Sequence, residues 1–180
     1  MKRIIVVAVV ISAAALLLLA ACKSVPPEEL KRSIEVVDMQ TKWVSKFYQP
    51  WPPRLIIVPE LSFRVKNLGV KPLTYVNFSA MFNFKGEPEN FGDAFKSAIR
   101  SDGVPPGQTS DPIVLRCNFG VDGKTLKGIQ ENPNWKQAEF RLFAQSGGST
   151  PVLIGTYDVL REIDFKEPEA PQPKKDDVKR

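Results

Sequence analysis

The chain has 180 residues, a formal charge of +5 and an apolar fraction of 43%, an ordinary composition for a globular protein. It has no histidine and only two cysteines, Cys22 and Cys117. That excludes Ser-His-Asp and Cys-His catalysis and removes the commonest zinc ligand. Lys and Arg alternate with acids along the chain, so the mild positive balance gives no footprint for nucleic acid.

The first element is apolar. Met1-Lys2-Arg3 is a basic start, and Ile4 to Ala21 is an apolar run broken only by Ser12. A basic start, an apolar stretch and small residues before a break predict an export signal over residues 1–21. The ending Leu19-Ala20-Ala21-Cys22 resembles the lipobox of bacterial lipoproteins. That resemblance implies cleavage between Ala21 and Cys22 and acylation of the Cys22 sulfur, which makes the membrane the first partner. Each buried methylene stabilises such an anchor by ~0.8 kcal/mol, so two or more chains hold it durably. Lys23 does not match the Asp that retains lipoproteins of this kind in the inner membrane. The resemblance therefore implies a lipid-anchored envelope protein of the outer membrane.

Residues 22–33 read as a tether, because Pro26-Pro27 opposes regular structure. Residues 30–48 suit either a helix (Leu30, Ile34, Val37, Val44, Tyr48) or strands (Ile34 and Val36, then Met39, Thr41, Trp43 and Phe47). Their β-branched content favours strand. From there to residue 165 the period is two, the strand signature. Leu61, Phe63 and Val65 form one face. Thr74, Val76, Phe78, Ala80, Phe82 and Phe84 form another, and Ile113, Leu115, Cys117 and Phe119 a third. Phe95 to Arg100 reads as a further strand. Ala138, Phe140, Leu142 and Ala144 form the next face, joined through Ser146-Gly147-Gly148-Ser149 as a hairpin to Leu153, Tyr157, Val159 and Ile163. Turn residues separate the runs. With no helical patterns between strands, the expected fold is mainly β, an antiparallel sandwich over residues 34–165. Residues 166–180, charged and rich in proline, read as a disordered tail.

Phe63-Arg64-Val65-Lys66-Asn67-x-Gly, Lys71-Pro72-Leu73, Val76-x-Phe78 and Pro106-Gly107-Gln108-Thr109 together resemble small immunoglobulin-like modules of bacterial envelope lipoproteins. The likeness spans roughly residues 54–165. It implies an immunoglobulin-like sandwich and carries over no catalytic residue.

Few residues invite chemistry. Cys117 shares a face with Ile113 and Leu115 and lacks a neighbouring base, so it reads as a core thiol. Asp93, Asp102, Asp111 and Asp122 lie near turns, with no calcium-loop spacing among them, and read as turn caps. Gly120-Val121-Asp122-Gly123-Lys124 lacks phosphate-loop spacing, and no cofactor or metal is expected. Tyr48-Gln49-Pro50-Trp51-Pro52-Pro53 is the most distinctive segment, and its prolines predict an extended, polyproline-like run. Trp51 and Tyr48 are the candidate partner contacts, although capping of the sandwich end by Trp51 is favoured over contact. Trp43 and Trp135 read as core or rim. The function expected from these features is a non-enzymatic binding or assembly module, with an envelope protein or glycan as partner. The alternatives are a glycan hydrolase with unmarked carboxylates and a structural spacer.

Overall fold

The computed structural model describes residues 25–168. Ala21, Cys22 and most of the expected tail therefore lie outside the described residues. In chain order the first elements are α1 (Pro27–Ser33), β1 (Ile34–Gln49), β2 (Arg54–Asn67), β3 (Val76–Phe84) and β4 (Asn90–Ile99). Then come β5 (Ile113–Arg116), β6 (Val121–Gly123), α2 (Leu126–Gln130), β7 (Ala138–Ser146), β8 (Val152–Asp158) and β9 (Ile163–Asp164). One sheet runs β5-β2-β1-β9, with β6 also paired to β2, and the other runs β4-β3-β7-β8. Every pairing is antiparallel except β1 with β9. The fold is a β-sandwich.

The two sheets meet through the faces that the alternation marked. Val76, Phe78, Ala80 and Phe82 of β3 are buried, as are Leu61, Phe63 and Val65 of β2 and Ala138, Phe140, Leu142 and Ala144 of β7. Phe63 and Phe78 touch edge to face across the gap, with ring centroids 5.2 Å apart. Fully burying a side chain of this kind stabilises the fold by roughly 1.5–3 kcal/mol. Trp43 joins them, stacked on Phe91 at 6.5 Å and edge-on to Trp135 at 5.9 Å.

Three residues leave their expected faces, two of them at bulges and one past the end of a strand. β1 carries register shifts at Val37/Gln40 and at Ser45/Phe47. An extra residue turns every following side chain over. Asp38 takes a positive φ of 54° at the first shift, which moves the buried set to Thr41 and Trp43. The second shift returns Tyr48 inward and sends Phe47 out, contrary to the expectation for Phe47. In β8 the shift between Leu142 and Phe143 of its partner buries Val152 and exposes Leu153. Phe119 is exposed because β5 ends at Arg116, before the alternation could reach it.

The stretch expected as a tether is helical from Pro27. A proline at the first helical position lacks only an N–H that has no partner there in any case. Pro26 O accepts from Leu30 N at 2.9 Å. Leu30 is fully buried, which holds α1 to the domain, and Val25 packs on the core ahead of it. At the other end the described residues run to 168, three positions into the expected tail. Phe165 lies 5.4 Å from Tyr48, and Glu167 accepts a hydrogen bond from Leu126 N.

Pro59 sits in the middle of β2 without breaking the sheet. Its neighbour on that side changes from β5 to β6 at this point, and Pro59 O accepts from Cys117 N. The missing donor falls where the ladder is already interrupted. The crossing is tight, since a Cβ at Gly120 would lie 1.9 Å from Ile57 O.

Candidate binding tip

β1 starts directly after α1 and runs 16 residues to the turn, so its far end lies at most ~50 Å from α1 at about 3.3 Å per residue. The turn Pro50–Pro53 closes that end of the β1–β2 hairpin. The segment is thus a turn rather than the extended run its prolines suggested. Gln49 Nε2 donates to Trp51 O at 2.9 Å, which ties the turn to the strand.

Trp51 is 84% exposed. A cap would have buried the indole, so the capping expectation fails. Tyr48 points the other way, onto Phe165 and the core. The two residues singled out together are therefore parted by the strand, one inward and one into solvent.

Beside the turn, the outer face of the sheet carries two aromatic rings that were expected to pack, each beside a cation. Arg54 lies 5.9 Å over the Phe47 ring and is held by Asp122 at 2.8 Å. Lys46 lies 6.0 Å from the ring of Phe119, which is 65% exposed, and donates to Asn118 O. Phe47 was expected on the packed face of a strand, and the bulge at Lys46 turns it outward beside Arg54.

Of the four aspartates considered for chemistry, two are held by neighbours, while Asp102 and Asp111 line an open groove beside Lys96 and Arg100. Asp122 holds Arg54, and Asp93 accepts from Asn118 Nδ2 at 2.6 Å. Asp158 pairs with Lys85, and Glu60 with Arg116. Among the described residues no group of three His, Cys, Asp or Glu side chains converges as metal ligands would. Trp135 is buried under the Arg161 guanidinium at 4.3 Å.

Cys117 is buried, and desolvation pushes its thiol up to about 11. The nucleophile is the thiolate, so this thiol is inert near neutral pH. Native protein at pH 8 is expected to react with an alkylating agent at Cys117 only as fast as it opens. Labelling as quick as in denatured protein would contradict this burial.

No family model matches the chain, and the search of curated proteins finds no significant relative.

Proposed function

We propose that the chain is a lipid-anchored protein of the bacterial cell envelope, acting as a non-enzymatic binding or assembly module. In this reading the sandwich is immunoglobulin-like, Cys22 carries the lipid, and the anchor places the protein in the outer membrane. Trp51 supplies the contact with an envelope protein or glycan. The observation that carries it is an indole exposed to 84% on a hairpin turn at the opposite end of β1 from α1. Prolines at 50, 52 and 53 restrict the turn, so ordering it on binding costs little entropy. Large, stiff aromatics of this kind dominate interface energetics.

Trp51→Ala separates contact from packing. In chemically cross-linked envelopes the variant is expected to lose partner capture, through an affinity loss of ~2 kcal/mol or more. Its melting temperature should match that of the parent, since almost no indole surface is buried. Retained capture, or a clear fall in melting temperature, would remove Trp51 from the binding role.

A further inference from the structure

The end of the domain opposite Trp51 carries its own unexplained surface. Val70 is 91% exposed and Leu68 53% exposed. They sit on the loop between β2 and β3, and with Val25, Pro26, Pro72 and Leu73 they line an open groove of about 590 Å³. Two apolar side chains left in water beside an apolar groove mark an interaction surface. The loop is fixed to α1, because Leu68 N donates to Ser33 O at 2.9 Å. Asn67 Oδ1 accepts from Gly69 N at 2.8 Å, and Asn67 Nδ2 donates to Lys71 O at 2.8 Å. The charged groups lining the groove are Arg32 and Lys71, opposed by Glu29. Tyr75, also exposed, follows on the same connection.

The length of chain before the described residues identifies the occupant. Val25 is docked on the core, and only Lys23 and Ser24 separate it from Cys22. Three residue steps reach at most ~10 Å. If Cys22 carries acyl chains in the bilayer, Val25 at the edge of this groove is held within that distance of the anchor, and the groove and its loop lie at the membrane-proximal end of the domain. A free linker over 22–33 would have allowed any orientation, but α1 removes that freedom. We propose that this end of the sandwich rests on the bilayer surface, with Leu68 and Val70 in the headgroup region and Arg32 and Lys71 beside lipid phosphates. The inference rests on the anchor reading of Cys22. Buried apolar area and cation–phosphate attraction together favour such a pose. It stands the domain on end and holds Trp51 away from the membrane.

The test uses the mature lipidated protein in vesicles of phosphatidylethanolamine and phosphatidylglycerol, with the mass of its N-terminal peptide measured in parallel. Val70→Cys and Trp51→Cys each receive an environment-sensitive fluorophore. Both sites are exposed, so neither change should disturb folding, and buried Cys117 should not label. The fluorophore at 70 is expected to shift to the blue, brighten several-fold and be quenched by nitroxide-headgroup lipid, while that at 51 stays water-like. An acylated Cys22 with a water-like signal at 70 would overturn the bilayer contact alone. A shielded signal at 70 that nitroxide lipid does not quench would assign the groove to protein and overturn it too. Quenching at both positions would lay the domain flat and end the upright arrangement. An unacylated Cys22 would remove the anchor reading and this inference with it.

Discussion

Phe82→Ala is expected to cost about 3–5 kcal/mol of stability, the range for emptying an aromatic site in a rigid core. Phe82 is fully buried at the centre of an aromatic cluster, 5.6 Å from Phe140 and 6.3 Å from Phe91. Its neighbours belong to paired strands, so they cannot collapse far into the space, and a poorly relaxed cavity gives the upper part of that range. Phe78, fully buried against Phe63 of the opposite sheet, should behave alike. Denaturant unfolding measures both. Losses below about 1 kcal/mol at the two positions would mean that β3 presents its other face to the core.

Asn67→Ala is expected to cost about 3 kcal/mol, from two causes. Asn67 is fully buried, and its side-chain amide donates to Lys71 O and to Val104 O, both at 2.8 Å, while its oxygen accepts from Gly69 N. Truncation strands the buried contact to Val104 O, at a cost of roughly 1–3 kcal/mol, and leaves the part-buried Lys71 O and Gly69 N without this partner. It also frees the loop carrying Leu68 and Val70 from the domain. Asn67→Asp should fail nearly as badly, since a carboxylate keeps the acceptor and loses both donors. Melting temperature gives the first effect. Faster amide exchange at Leu68 to Lys71 gives the second, and unchanged exchange there would contradict the role assigned to Asn67.

Asn67 also explains part of what the sequence made legible. The Asn-x-Gly turn and the Pro-Gly turn, separated by some forty residues, are locked together by its backbone: Gly107 N donates to Asn67 O, and Asn67 N donates to Gln108 O. Both turns stood out in the sequence, and the structure places them in contact through one buried residue. β3 and β7 were equally readable, since their mutual register from Val76↔Ser146 to Phe84↔Ala138 runs without a slip. β1 was hard to read for the opposite reason. Its two bulges alternate the buried parity along one strand, which mimics helical spacing and misplaces Phe47. The proline pairs misled in both directions. Pro26-Pro27 was compatible with a helix start, and the prolines around Trp51 made a turn. The exposure of Trp51 was misread, because an indole between prolines at a sheet end favoured a cap until the hairpin turn placed it in solvent.

The account depends most on Cys22, because the upright pose and the outward display of Trp51 both follow from an anchor placed a few residues before Val25. Mass spectrometry of the N-terminal peptide of the mature protein, purified from envelopes, tests it most directly. The expected species begins at Cys22 and carries a diacylglyceryl group on sulfur. A peptide retaining Met1, or one beginning elsewhere with an unmodified Cys22, would contradict the account.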